Sequence, residues 1–175
     1  MLMIARGIIA QPVAELFERH NHALFNFIAW LCQGNLAEAE DICQKVWVKL
    51  MQYSGEYKPT AAFRTFLYQI ARNALIDNKR GAYEQRRETL QESSLTDSEH
   101  DITPETELHL KQNMRQVQQA LLQLPAPQRE VIVLRFFNDM SLHEIAEIAD
   151  VGFETVKSRL RYAFTHLRRE LERSA

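Results

Sequence analysis

The sequence predicts an all-α protein made of two small helical domains joined by a flexible acidic linker, the carboxy-terminal domain containing a helix-turn-helix. Three observations carry this expectation. Five Gly and five Pro in 175 residues are too few for an all-β chain, which needs a turn every ~8 to 12 residues. Apolar residues recur at helical spacing along most of the chain. Residues 88 to 104, rich in Ser, Thr, Glu and Asp and closed by Pro104, have no such period and separate two unlike periodic halves. The length allows one domain or two small ones, and 46% hydrophobic with 25% charged residues is ordinary globular usage.

Each element follows from its own pattern. Pro12 can open a first helix in which Leu16, Phe17, His20, Leu24, Phe27, Ile28 and Leu31 share a face, ending near Gly34. A second runs from about Leu36 to Gln52, with Ala39, Ile42, Cys43, Val46 and Leu50 on one side. Ser54, Gly55 and Pro59 then break the pattern into a loop holding Tyr53 and Tyr57. In the third helix Phe63, Phe66, Leu67, Ile70, Ala71, Ala74 and Leu75 form the apolar stripe, and Arg64, Tyr68 and Arg72 make a second line at i, i+4 and i+8. Beyond the linker, Leu110, Met114, Val117, Leu121 and Leu124 mark a helix stopped by Pro125 and Pro127. A short helix with Val131, Ile132, Leu134 and Phe136 follows, and Asn138 and Asp139 turn the chain.

Net charge is -2, which argues against a polyanionic partner until the charge is mapped. Between Phe63 and Arg87 six basic residues, Arg64, Arg72, Lys79, Arg80, Arg86 and Arg87, stand against Asp77 and Glu84. From Glu88 to Glu107 there are seven carboxylates and no Lys or Arg. From Phe153 to Arg173 basic residues again prevail, six to three. Two basic blocks on helices flanking an acidic stretch point to a polyanion held at two places; each block alone also reads as a solvated face.

Other chemistry is poorly supplied. Cys32 and Cys43 are too few for a disulfide scaffold, and with His20 and His22 they lack the short C-x-x-C spacing of a zinc site. Cysteine on an apolar helix face belongs to the core. Trp47 is either exposed for a partner or half buried. No Gly-rich phosphate loop, H-E-x-x-H or G-x-S-x-G occurs, so no enzymatic activity, metal or cofactor is expected. Nothing at the amino terminus reads as a secretory signal and no run approaches the ~18 apolar residues of a membrane span; a cytoplasmic protein without membrane insertion is the expectation.

Ser141-Leu142-His143-Glu144 has the form of a capping box and opens a helix with Ile145, Ala146, Ile148 and Ala149 on its apolar side. Asp150-Val151-Gly152 is a short turn, and Val156, Leu160, Ala163, Leu167 and Leu171 define the next helix. This is a helix-turn-helix by spacing. The outer face of its second helix carries Thr155, Lys157, Ser158, Arg159, Arg161 and Tyr162, donors and charges suited to base edges and phosphates in a major groove. The competing reading is a solvent-facing helix of a bundle.

These residues resemble the bacterial sigma-70 family of sigma factors, specifically its extracytoplasmic-function group. Leu124-Pro125-Ala126-Pro127-Gln128-Arg129-Glu130-Val131, Ser141 to Ala146 and Thr155 to Leu160 are similar to that family's carboxy-terminal domain. Ala39-Glu40-Asp41-Ile42-Cys43-Gln44 resembles its polymerase-binding helix, and Phe63 to Asn73 with Asp77 resembles its promoter-melting segment. The resemblance implies region 2 over 1–87, a linker over 88–104 and region 4 over 105–175. It implies that Asp41, Gln44 and Lys45 meet core RNA polymerase, with Lys45 standing where the family usually has an acidic residue. Phe63, Arg64, Tyr68, Arg72, Asn73, Asp77 and Arg80 would read and open the minus-10 element, and Thr155, Lys157, Ser158, Arg159, Arg161 and Tyr162 would read the minus-35 element. Asp150 fills a turn position usually held by Gly, and Phe153-Glu154 replaces small residues. Promoter DNA, core polymerase and an anti-sigma protein are the implied partners. A stand-alone helix-turn-helix repressor and a helical adaptor that never touches DNA are the alternatives.

The linker is long enough for two-site reading: 17 residues span at most ~55 to 60 Å, about the length of a spacer of roughly 17 base pairs. Its carboxylates are expected to screen the basic faces of the free protein. Replacing them by amides should therefore raise the affinity of free protein for DNA in a salt-titrated binding assay; unchanged affinity would dismiss the screening.

Overall fold

The structure, a computed structural model, describes the backbone of residues 2–53, 62–88 and 115–174, and side chains within 14–52, 62–81 and 115–173. The loop expected around Tyr57 and Pro59, the linker beyond Glu88, and the Arg86 and Arg87 side chains lie outside these residues. The described elements are α1 (Leu2–Leu31), α2 (Leu36–Tyr53), α3 (Phe63–Glu88), α4 (115–123), α5 (Ala126–Ile132), a π-helical turn (Val133–Phe137), α6 (Leu142–Ala149) and α7 (Phe153–Ser174).

The amino-terminal half is a three-helix unit. Helix α1 begins before Pro12 and carries it inside, contrary to the expectation that this proline opens the helix; a proline forfeits one i→i-4 hydrogen bond and can be absorbed as a bend. At its other end Gln33 and Gly34 take positive φ, +57° and +85°, and the Gly34 N–H donates to the Ala29 carbonyl, so the chain reverses at a residue without a Cβ. Asn35 then caps α2, its Oδ1 accepting from the Glu38 N–H at 3.2 Å. Phe27, Ile28, Ile42, Val46, Leu67 and Ala71 are fully buried where these helices meet.

The carboxy-terminal half is organised by the capping box expected from sequence. Ser141 Oγ accepts from the Glu144 N–H and the Glu144 carboxylate accepts from the Ser141 N–H. These bonds hold the Glu144 carboxyl below its usual range. Helix α6 ends at Asp150, which takes left-handed backbone at φ +50° and ψ +51°, the conformation a short helix-turn-helix turn requires and Asp tolerates. Helix α7 packs against α6 and α5, burying Val156 and Ala163.

The two halves do not stand apart. One apolar cluster runs from Leu24, Phe27 and Leu67 into Val131, Leu134, Met140, Ile145 and Val156, and α3 lies against α6 while α1 touches α5 and the π turn. A smaller cluster of Leu121, Leu124, Ile132 and Ala163 completes the carboxy-terminal half. Periodicity marks which face of a helix is apolar but not which helix covers it, so this joint core lay beyond the sequence reading. Among the described residues no helix is long and apolar enough to cross a membrane.

Ser141→Ala removes the hydroxyl half of the box and is expected to cost about 1 kcal/mol in denaturant unfolding. Because Glu144 titrates low in the folded chain, its contribution is present above the usual carboxylate range and fades as pH falls through it; Glu144→Gln should flatten that part of the acid limb.

Candidate nucleic-acid interface

The residues singled out on the second helix of the helix-turn-helix all lie on the amino-terminal half of α7, but they are not equivalent. Thr155, Lys157, Arg161 and Tyr162 are exposed. Lys157 Nζ lies 2.9 Å from the Glu154 carboxylate and 5.7 Å from the Phe153 ring centroid, so Phe153-Glu154 holds this lysine rather than clearing space for it. The Arg161 guanidinium rests 5.2 Å from the Tyr162 ring centroid, a cation–π contact between two exposed side chains. Ser158 Oγ donates to the Thr155 carbonyl at 2.9 Å. Arg159 differs: it is half buried, and one terminal nitrogen is out of contact with solvent. It faces inward, within electrostatic reach of Glu130.

Helix α3 divides the other candidate group. At 3.6 residues per turn the Arg64–Tyr68–Arg72 stripe and the Asn73–Asp77–Arg80 stripe lie about 150° apart around the helix. The second stripe is exposed. The first is engaged with the carboxy-terminal half. Arg64 donates to the Asn138 carbonyl. The Tyr68 hydroxyl, on a ring only 2% exposed, donates to Asn138 Oδ1 at 2.5 Å, and burial pushes its pKa up to about 12, so it stays a donor throughout the working pH range. Arg72 Nε donates to Glu130 Oε1 at 2.9 Å. Phe63 is half buried beside His20, ring centroids 5.3 Å apart.

On α2, Asp41, Gln44 and Lys45 are exposed and line a shallow groove with Val48, Lys49 and Gln52. Lys45 is ion-paired with Asp41 at 2.5 Å; the residue that departs from the family pattern thus masks part of the neighbouring acid. Trp47 is buried, its Nε1 donating to Asn21 Oδ1 at 2.9 Å, which removes it from any exposed role. Cys43 donates to the same oxygen and Cys32 is likewise buried; among the described residues no cluster of three or more His, Cys, Asp or Glu side chains could hold a metal ion.

Glu130 and Asn138 are the residues sequence reasoning missed as partners of α3. Asn138 was legible only as a turn residue, yet it is 5% exposed and its amide also donates to the Val133 carbonyl at 3.0 Å. Glu130 is 6% exposed, and burial lifts its carboxyl above the usual range, partly offset by Arg72, Arg159 and Lys79. The folded chain therefore holds this proton more tightly than the unfolded chain, and the contribution to stability falls as pH rises from the usual carboxylate range through the raised value. Unfolding measured across that range should show wild type losing ground to Glu130→Gln as pH increases; parallel curves would contradict the assignment.

Comparison with known proteins matches this architecture. The family model for Sigma-70 region 2 matches residues 16–85 and that for Sigma-70, region 4 matches residues 120–169. The ECF RNA polymerase sigma factor SigW of Bacillus subtilis is 32% identical over 145 residues, covering 79% of this chain and 78% of that protein. SigL of Mycobacterium tuberculosis is 30% identical over 164 residues, covering 93% and 90%. Among solved structures, the sigma factor RpoE in complex with the anti-sigma factor NepR from Bartonella quintana shares the fold with a TM-score of 0.71 at 20% identity, covering 91% of this chain and 96% of that one. CnrH in complex with the cytosolic domain of CnrY shares it at 0.66 and 23% identity, covering 95% and 91%. Region 2 followed by region 4, with relatives of this identity along most of their length, places the chain in the sigma-70 family as an ECF sigma factor.

Proposed function

We propose that this alternative sigma factor docks on core RNA polymerase through Asp41, Gln44 and Lys45 of α2, reads the minus-35 element with the α7 face, and opens the minus-10 element with α3. Residues 1–87 then form the polymerase-binding and melting domain, 88–104 the connector and 105–175 the minus-35 domain. The observation that carries the reading is the exposed Thr155, Lys157, Arg161 and Tyr162 face of α7, set by the left-handed turn at Asp150 that follows the capped helix α6. Such a helix presents base-reading and phosphate-neutralising groups together.

On α3 the chemistry required is stacking and charge. A base drawn from the duplex gives up its neighbours, and an aromatic surface edged with Arg replaces them at ~1 to 3 kcal/mol per base. None of these steps calls for a nucleophile, a metal or a bound nucleotide, so the factor contributes binding energy rather than catalysis of its own. A cytoplasmic location follows from work on polymerase and DNA. An anti-sigma protein is the expected negative regulator, as the solved complex of the fold relative from Bartonella quintana carries one.

Run-off transcription with core polymerase tests the assignment, because a repressor or a DNA-blind adaptor confers no promoter-specific start. Loss of one forked guanine contact costs ~1 to 3 kcal/mol, so Arg161→Ala should lower initiation about 5- to 150-fold at promoters with an intact minus-35 element. Core-polymerase binding should be unchanged; equal initiation by the variant would remove Arg161 from the reading face.

A further inference from the structure

We infer that Glu154 and Lys157 act together to select a G·C pair in the minus-35 element, Lys157 on the guanine and Glu154 on the cytosine, with Phe153 and His143 as the residues that position them. This rests on α7 being the minus-35 reader, as proposed above.

Glu154 is the anomaly on that face. It is exposed in the first turn of α7, where a carboxylate brought against a phosphate backbone is repelled unless a donor on the DNA meets it. Its partner within the chain is Lys157, whose Nζ donates to Glu154 Oε1 at 2.9 Å and to Oε2 at 3.1 Å. Such a surface pair adds little to stability. It leaves the lysine side chain 50% and the glutamate side chain 79% exposed, so the ammonium keeps a donor and the carboxylate keeps lone pairs for a third party.

Two aromatic rings brace the pair. The Lys157 ammonium lies 5.7 Å from the Phe153 ring centroid, within cation–π range. The His143 ring, at the start of α6, stacks on Phe153 with centroids 4.5 Å apart and planes at 27°. Phe153 is half buried, so the ring is anchored where α6 and α7 meet and the lysine is held against it.

A donor and an acceptor held 2.9 Å apart match the major-groove edge of a base pair, whose guanine O6 and cytosine N4 are themselves hydrogen-bonded at about 2.9 Å. Lys157 donates to O6, and Glu154 accepts the N4 hydrogen that faces the groove. The next atom along the edge decides between base pairs. Beside O6, guanine has N7, a second acceptor for the ammonium; beside O4, thymine has its C5-methyl, which desolvates the ammonium and accepts nothing from it. The pair therefore favours G·C over A·T.

Run-off initiation by the full-length factor with core polymerase, on promoters varied one minus-35 base pair at a time, tests this. Wild type should prefer G·C to A·T at one position by about 5- to 150-fold. At that position N4-methylcytosine, which keeps its base pairing but loses the groove-facing hydrogen, should lower initiation by wild type at least about fivefold and leave Glu154→Ala indifferent. Glu154→Gln, whose amide suits adenine N6 and N7, should move the preference to A·T. Phe153→Ala should shrink the discrimination at that position alone, and Phe153→Tyr, which keeps the ring, should retain it. Absence of a G·C preference, or equal sensitivity of wild type and Glu154→Ala to N4-methylation, would overturn the inference. Arg161→Ala reads the α7 assignment separately: if it loses minus-35-dependent initiation while N4-methylation leaves wild type unaffected, the base-pair selection fails and α7 remains the reader.

Discussion

Glu130 carries its carboxylate in a site that disfavours charge, and the group that answers it, Arg72, comes from 58 positions earlier in the chain. Such a pair adds little net stability, because desolvation consumes most of the Coulombic gain, but losing one member leaves the other stranded. Its effect is on geometry. Apolar surfaces slide over one another at little cost, whereas hydrogen bonds to Glu130 and to both oxygens of Asn138 accept only one register. The orientation of the carboxy-terminal helices on the amino-terminal unit is held by these polar atoms, and the accessibility of Arg64, Tyr68 and Arg72 depends on it.

Helix α3 carries the greatest burden. Leu67, Ala71 and Leu75 build the core of its own unit, Arg64, Tyr68 and Arg72 meet the other half, and Asn73, Asp77 and Arg80 face solvent. One helix thus has three distinct faces with no neutral side. Of the basic residues met in the sequence as a single block, Arg64 and Arg72 lie on a face that is paired and Lys79 and Arg80 on a face that is open. Helix α7 makes a similar division more simply, turning Arg159 inward and Arg161 outward two positions apart.

Much of this is legible in the amino-acid sequence alone. The helical class, the helix-turn-helix, the capping box and the left-handed Asp150 come from local signals, and local signals are what a sequence displays most directly. The core positions of α2 and α3 are readable for the same reason, since burial on one face leaves a period. The seam is not readable, because its partners are separated by 58 to 78 positions and are polar residues of the kind usually assigned to solvent. Asn138 shows the difficulty: the feature that marks it as a turn former, a short polar side chain, also lets it accept from Tyr68 in the interior. Trp47 poses the opposite problem, a ring that sequence leaves open between partner and core until Asn21 is seen to satisfy its N–H.

The π-helical turn over Val133–Phe137 sets the rotational phase of the downstream chain. Widening one turn by a residue leaves the Phe136 and Phe137 rings more than half exposed, at 54% and 53%, while Asn138 swings beneath them into the interior. An ordinary α-turn would be one residue shorter and would rotate everything downstream by about 100°, directing the asparagine away from Tyr68. A single-residue deletion within this turn would therefore act as a phase shift, uncoupling the two halves while leaving every side chain of their contact chemically intact.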